Sequence, residues 1–212
     1  QRMSSLYEKH LLPKCLNFLC SAKPIARQRE KIVPLAGGTV LELGVGSGLN
    51  FPFYDPTKID KIIGLDPSEE LSTMARRVAK EQNLQVEFLN GYAEEICLPD
   101  SSVDTVLVTY TLCTVSDALK VCQEALRVLN KGGQMLFCEH GLAPDESVCR
   151  WQNRINPIWG KLAGGCNLNR DISFVISESG FEIKSLETMY LPKTPRFAGY
   201  NYWGSAVPKN TD

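Results

Sequence analysis

This 212-residue chain has little histidine and little net charge. It contains two histidines, His10 and His140, and eight cysteines that form no C-x-x-C pair. Neither a metal-ligand spacing nor a disulfide framework is therefore predicted. The net charge of −1 argues against a nucleic-acid partner. No secretory signal is recognised, so we expect a cytoplasmic protein with reduced thiols. The length and the composition predict one globular domain.

What the sequence does contain is a glycine-rich turn directly after a buried strand. Residues 39–50 read TVLELGVGSGLN, and Asp66 ends the next apolar run. This layout is typical of a doubly wound α/β sheet that binds an adenosine-containing cofactor. The three glycines alternate strictly, unlike the dinucleotide pattern G-x-G-x-x-G, in which a helix N-terminus reaches a pyrophosphate. Glu42 offers a carboxylate for the ammonium of an amino acid, and adenosine plus amino acid indicates S-adenosylmethionine.

Four segments then follow one another in a defined order. They are Glu42–Gly48 with Asp66, Asn90–Glu94, Leu98–Asp104 and Leu126–Gly133. Together they resemble the class I S-adenosylmethionine-dependent methyltransferases. The later run from Glu139-His140 through Pro157-Ile158-Trp159 to Gly164–Arg170 is similar to the branch that holds animal thiol S-methyltransferases and bacterial phospholipid N-methyltransferases. The resemblance implies a Rossmann-like, doubly wound, mostly parallel seven-stranded sheet with an antiparallel last strand and helical lid segments.

The resemblance, with the chemistry of the side chains, also implies a cofactor site. Asp66 is expected to accept hydrogen bonds from the ribose diol, and Glu42 to orient the glycine loop and the amino group. Ala93 and its neighbours resemble the adenine-contacting loop, although Tyr92 stands where many relatives have an acid. The full predicted set is Glu42, Gly44, Gly46, Ser47, Gly48, Asn50, Asp66, Pro67, Ser68, Tyr92, Ala93, Glu94, Thr109 and Tyr110.

Apolar runs and turn residues divide the single domain 1–212 into four parts. These are a helical lid (3–36), a cofactor-binding core (37–140), a substrate lid insertion (141–170) and C-terminal strands (171–212). Strands are predicted at 40–43, 62–66, 86–88, 105–109, 134–138, 181–188 and 200–207. Ser116 is expected to cap a helix that includes Leu129 and stops at Gly132-Gly133. Pro157 is expected to bend or interrupt a helix in the insertion.

The N-terminal segment predicts a short amphipathic helix. Its apolar positions are Leu12, Cys15, Leu16, Leu19 and Cys20. Residues 2–31 carry seven basic and two acidic side chains. The helix is too short to span a bilayer. Two interpretations stay open, a lid over the sheet edge and peripheral membrane contact through the basic flank.

Methyl transfer needs an acceptor site, which we place beyond the fifth strand. Trp151, Trp159 and Cys166 are predicted to line it, with Cys166 as a pocket wall or structural thiol. His140 is the candidate base, since histidine titrates in the useful range. We expect a small, largely apolar acceptor, and S-methylation of a thiol is the favoured reaction. N-methylation of an amine or phospholipid headgroup, and a cofactor-binding protein without catalysis, are the alternatives.

Overall fold

The computed structural model describes residues 20–209, in which seven strands form one sheet. The strands are β1 (Gly38–Leu43), β2 (Ile59–Asp66), β3 (Val86–Asn90), β4 (Val103–Thr109), β5 (Leu129–His140), β6 (Phe181–Tyr190) and β7 (Tyr200–Pro208). Their order is β3-β2-β1-β4-β5-β7-β6. Strands β1 to β5 pair in parallel, and β7 runs antiparallel between β5 and β6. The predicted seven-stranded, mostly parallel sheet is confirmed.

Helices cover both faces of this sheet. They are α1 (Lys23–Ile32), α2 (Glu69–Glu81), α3 (Ala118–Val128), α4 (Glu146–Leu162), α5 (Ile172–Glu178) and α6 (Arg196–Gly199). Side chains alternate along each strand, so Val40 packs with α1 and α2 while Leu41 packs with α3 and α5. The two apolar layers fix the carboxyl ends of β1, β4 and β5 side by side. The predicted helix face at Leu12, Cys15, Leu16 and Leu19, together with His10, lies outside the described residues.

The start of α3 differs from the sequence prediction. Asp117 is the N-cap, and its carboxylate accepts a hydrogen bond from the Lys120 backbone N–H at 3.0 Å. Ser116, which we expected to cap the helix, donates its hydroxyl to Glu94 at 2.7 Å instead. The predicted cap is wrong by one residue because the serine is held by a tertiary partner.

The end of α3 is also earlier than predicted. The helix stops at Val128, and Leu129 already belongs to β5, where it pairs with Val103 of β4. Leu129 is buried in the strand. Its apolar side chain also fits the helical spacing, which is why the prediction placed it in the helix. Gly132 and Gly133 lie within β5, where the β4–β5 register shifts, and do not terminate the helix.

The insertion after β5 is dominated by α4, which continues through Pro157. The expected interruption is wrong. Proline removes one backbone donor, and α4 stays helical on both sides of it, from Glu146 to Leu162. No helix within residues 20–209 is both long enough and apolar enough to cross a membrane.

Candidate active site

The glycine loop after β1 leaves space for a ligand. Gly44 and Gly46 have φ of 69° and 53°, in the left-handed region that favours glycine. A Cβ at Gly44 would lie 2.3 Å from the Thr111 hydroxyl, so packing requires that glycine. Among residues 20–209, a Cβ at Gly46 would meet only the Gly44 carbonyl oxygen, at 3.8 Å. Within this part of the chain Gly46 borders open space, and a ligand can lie directly against its backbone.

Asp66 lies beside this loop, at the end of β2, and is buried. One carboxylate oxygen accepts from the Gly46 N–H at 2.9 Å and the other from the Ser68 N–H at 2.8 Å. Burial raises the pKa of Asp66, and the two N–H donors partly offset the rise. Each oxygen can accept another hydrogen bond. Asp66 thus joins the glycine loop to Pro67 and Ser68 and retains acceptors for a diol.

Glu42 is a fully buried carboxylate at the centre of a hydrogen-bond network. It accepts from the Asn50 amide at 2.9 Å and from the Tyr54 hydroxyl at 2.7 Å. Burial raises the pKa of Glu42 from 4.5 to about 7, against the lowering effect of both bonds. Ionisation near neutral pH is therefore balanced, and a cation placed nearby favours the carboxylate. Its contact with a cofactor ammonium stays a prediction.

Arg29 of α1 completes the network from the N-terminal segment. It is 5% exposed, and its guanidinium donates to Asn50 Oδ1 at 2.7 Å and to Thr109 Oγ1 at 2.6 Å. It also lies over the Tyr110 ring, 5.1 Å from the centroid. Its Nε is buried and has no hydrogen-bond partner among residues 20–209. A buried cation with an unused donor fits an anionic ligand group.

Sequence reasoning missed Arg29 because it counted this residue only as part of a basic flank. The buried positions of α1 are Gln28, Arg29 and Ile32, so two polar side chains occupy the face that packs on the sheet. Polar residues on the inner face of a helix were the available signal.

Thr109 is the last residue of β4 and Tyr110 follows it. Their place at the floor of the site stays a prediction. Tyr110 has φ of 54°, an uncommon conformation for a non-glycine residue, and its hydroxyl donates to Asn201 Oδ1 at 2.6 Å. The Asn201 side-chain nitrogen is buried without a partner among the described residues. Asn201 is paired with His140 in the β5–β7 ladder, so their side chains share one face of the sheet. An unused donor therefore lies on the His140 side.

The loop predicted to contact adenine is anchored by Glu94. Its carboxylate accepts from the backbone N–H and hydroxyl of Ser116, at 3.0 and 2.7 Å. Ala93 is buried, whereas Tyr92 is 69% exposed. Glu94 thus attaches this loop to the residue that precedes the α3 cap. The ring of Tyr92 remains accessible for stacking against an adenine.

His140, at the end of β5, lies against two thiols. Its Nε2 is 2.7 Å from Cys166 Sγ, and the ligand atoms of Cys113, His140 and Cys166 all lie within 4.8 Å of one another. The hydrogen bond with Cys113, together with burial, raises the pKa of the Cys166 thiol far above its ordinary value. The sequence did not predict this group, because its members are separated in the chain and follow no ligand motif. The cysteines described in residues 20–209 are all free thiols.

Glu139 supports the loop that carries Cys113. Its buried carboxylate accepts backbone N–H bonds from Thr111 at 2.7 Å, Leu112 at 2.9 Å and Cys113 at 3.2 Å. Burial raises the pKa of Glu139, and these donors oppose the rise. The carboxylate is committed to the β4–α3 loop.

The two predicted tryptophans lie on α4, around Phe197 of α6. Trp151 is 60% exposed and borders a cavity of about 540 Å³ with Val148, Ile155 and Phe197. Trp159 packs edge-on against Phe197, with ring centroids 5.9 Å apart. Neither Cys166 nor any predicted cofactor residue lines this cavity. The structure therefore separates the predicted acceptor residues into an apolar cavity and the His140–Cys166 pair.

Comparisons with known proteins agree with this geometry. The sequence profile of a methyltransferase domain matches residues 41–137. Rat thiol S-methyltransferase TMT1B is 36% identical over 170 residues, which cover 76% of this chain and 69% of that protein. The chain belongs to the class I S-adenosylmethionine-dependent methyltransferases. Phosphatidylethanolamine N-methyltransferase of Cereibacter sphaeroides is 35% identical over 138 residues, covering 61% of this chain and 67% of that protein.

A solved structure extends the agreement to the fold. A possible histamine N-methyltransferase of Thermotoga maritima superposes with a TM-score of 0.66 at 23% identity, covering 96% of this chain and 98% of that one. The cofactor of the family is S-adenosylmethionine. The residues present fit it, because within residues 20–209 Gly46 borders open space and the buried Arg29 Nε has no hydrogen-bond partner, beside the Glu42 carboxylate.

Proposed function

We propose that this methyltransferase transfers a methyl group to the sulfur of a small, largely apolar thiol. The observation that carries the proposal is the group of two thiols and one imidazole, formed by Cys113, Cys166 and His140, beside the carboxyl ends of β4 and β5. The nearby Glu139 carboxylate is committed to three backbone N–H groups, so it is not free to hold a cationic amine. The name of the rat relative, a thiol S-methyltransferase, supports the same acceptor class.

In this proposal the amino-acid part of the cofactor lies between Arg29 and Glu42. Arg29 holds the carboxylate with its unused donor, and Glu42 faces the ammonium. Asp66 accepts from the ribose, and the loop at residues 92–94 contacts the adenine. When bound, S-adenosylmethionine supplies an activated methyl group together with its own leaving group. The protein's task is therefore to position the acceptor and to remove one proton from it.

His140 and Cys166 are the side chains that we place at the acceptor sulfur. If His140 governs loss of the acceptor's proton, His140→Ala lowers turnover by roughly 10²–10⁴-fold. The apolar cavity at Trp151 and Phe197 suits the hydrocarbon part of an acceptor. Trp159 supports this wall through its contact with Phe197.

N-methylation is the second candidate, because one relative is a phosphatidylethanolamine N-methyltransferase. Matched acceptors separate the two reactions. Formation of S-adenosylhomocysteine is measured with an alkane thiol, the amine of the same carbon skeleton and vesicles containing phosphatidylethanolamine. We expect turnover with the thiol. Turnover confined to the amine or the lipid would refute S-methylation, and cofactor binding without turnover on any acceptor would indicate a non-catalytic protein.

We propose the lid interpretation for the N-terminal segment over membrane contact. Its described part, α1, packs on the sheet through Ile32 and contributes Arg29 to the site. Lys31 lies 3.8 Å from the centroid of the Trp203 ring, and so one basic side chain of this segment faces the protein. Pelleting with anionic vesicles tests the alternative, which requires co-sedimentation that falls as salt rises.

A further inference from the structure

The group formed by Cys113, His140 and Cys166 has the donor atoms of a metal site. Two thiols and one imidazole nitrogen lie within 4.8 Å of one another, and both thiols are buried. Cys113 follows β4, His140 ends β5 and Cys166 follows α4. The group therefore exists only because the fold brings three distant segments to one edge of the sheet.

The backbone around the three side chains is held from two directions. Glu139 accepts three N–H bonds from residues 111–113, the last of them from Cys113 itself. On the other side, Asn167 donates its backbone N–H to the Cys113 carbonyl at 2.7 Å and its side-chain amide to the same oxygen at 3.2 Å. Cys113 and the residue next to Cys166 are thus tied together. Ligands that are fixed by their neighbours bind a metal with less reorganisation.

The donor set selects the kind of metal. Thiolate and imidazole ligands favour zinc over magnesium or calcium, which prefer oxygen ligands. The carboxylate of Glu139, the residue before His140, is committed to backbone donors. Three protein ligands of the Cys2His type leave the fourth tetrahedral position open, as in catalytic zinc sites. His140 and Cys166, now 2.7 Å apart, must separate by about 1 Å to share an ion, given metal–ligand bonds of about 2.0–2.3 Å.

We propose that Cys113, His140 and Cys166 bind a zinc ion whose fourth position receives the sulfur of the acceptor thiol. The site itself is independent of the proposed function, whereas the identity of its fourth ligand rests on it. A thiol that coordinates zinc loses its proton to solvent. Its sulfur then attacks the methyl carbon of the sulfonium, forming a new carbon–sulfur bond while the methyl–sulfonium bond breaks. The products are S-adenosylhomocysteine and a neutral thioether, and a thioether is a weaker zinc ligand than a thiolate.

Metal content tests the site without reference to activity. The full chain is purified under reducing conditions, zinc is measured by elemental analysis, and cobalt is exchanged into the site as a spectroscopic probe. We expect close to one metal ion per chain and a cobalt spectrum with thiolate charge-transfer bands. Cys113→Ser and Cys166→Ser should each weaken zinc binding beyond the roughly 10–100-fold that follows loss of a residue that only supports a ligand. Cys97→Ser, an exposed cysteine, is the matched control and should keep the metal.

The cobalt spectrum also tests the open position. Adding an alkane thiol should change the ligand-field bands, and the corresponding methyl thioether should not. Cys20 interacts electrostatically with the Cys113 and Cys166 thiols, so Cys20→Ser is included. A spectrum that is lost in Cys20→Ser would mean a closed four-ligand site and would overturn the open position.

Failure of this inference is distinguishable from failure of the proposed function. Thiol turnover by wild-type protein that contains no metal and resists chelators would overturn the zinc site and leave S-methylation intact. A disulfide between Cys113 and Cys166 in place of the metal would overturn it as well. Stoichiometric zinc without turnover of any thiol would refute S-methylation and retain the metal site. Because wild-type metal content is decisive, the test does not depend on a variant that folds.

Discussion

Protonation of Glu42 gives the sharpest prediction. The folded protein holds this carboxyl with a pKa of about 7, against 4.5 for a free glutamate, because burial disfavours the charge. Below pH 4.5 both folded and unfolded chains hold the proton, and above pH 7 neither does. Between these values only the folded protein is protonated, so the free energy of unfolding falls as pH rises. At 1.36 kcal/mol per pKa unit, the loss between pH 4.5 and 7 is about 3 kcal/mol.

Glu42→Gln isolates this contribution. Glutamine has nearly the same shape and its carbonyl oxygen still accepts the Tyr54 hydroxyl, but it does not ionise. Chemical denaturation of the cofactor-free protein at pH 5 and pH 8 gives the change in unfolding free energy for each protein. We expect the variant to lack the fall of the wild type, which is about 2.5 kcal/mol between pH 5 and pH 8. Glu178→Gln, at an exposed position, is the control and should follow the wild type.

Cofactor binding should couple to the same proton. If the ammonium lies at Glu42, binding favours the carboxylate and releases a proton below about pH 7. Complete restoration of the ordinary pKa would weaken binding by somewhat under 10²-fold at pH 5 relative to pH 8. Titration calorimetry in buffers of different ionisation enthalpy counts the released protons. A wild type and a Glu42→Gln variant with the same pH dependence in both experiments would refute the reasoning.

Three substitutions test the remaining cofactor contacts, by calorimetry for affinity and denaturation for stability. Asp66→Ala removes the ribose acceptor and should weaken S-adenosylmethionine binding by roughly 1.5–3 kcal/mol; near-native affinity in a folded variant would contradict the assignment. Gly46→Val places a branched side chain in the ligand space and should abolish measurable binding. Gly132→Val is its control, because Gly132 also has a positive φ but a Cβ there meets no described atom within 4 Å. The control should bind the cofactor and lose only folding stability, by roughly 1–3 kcal/mol. Arg29→Met removes the buried cation and should weaken cofactor binding by roughly 1.5–3 kcal/mol. Arg27→Met, on the exposed side of α1, is its control and should leave the affinity unchanged. Equal affinities of the two variants would exclude Arg29 from the site.

Local patterns were sufficient for the strands and the cofactor loop, whereas the order of the strands in the sheet came from the family resemblance. The buried run at Thr105–Thr109 became β4, and Asp66 reached the glycine loop, because carboxyl ends of adjacent parallel strands meet at one edge. The α3–β5 junction was wrong for a tertiary reason. Leu129 suits the buried face of a helix, but its pairing with Val103 draws it into the strand.

The sequence by itself determined the fold class and the methyl donor, since apolar periodicity, glycine spacing and strand-end acids act between residues that are close in the chain, and the resemblance of its motifs gave the family. Only the tertiary structure decided which polar side chains are buried together. Arg29 meets Thr109 across 80 residues, and His140 meets Cys166 across 26. No local pattern encodes such meetings, because packing of α1 against the sheet fixes the first and the Asn167 hydrogen bonds to the Cys113 carbonyl hold the segment of the second. The buried Arg29 cation and the thiol–imidazole group are therefore products of the assembled layers.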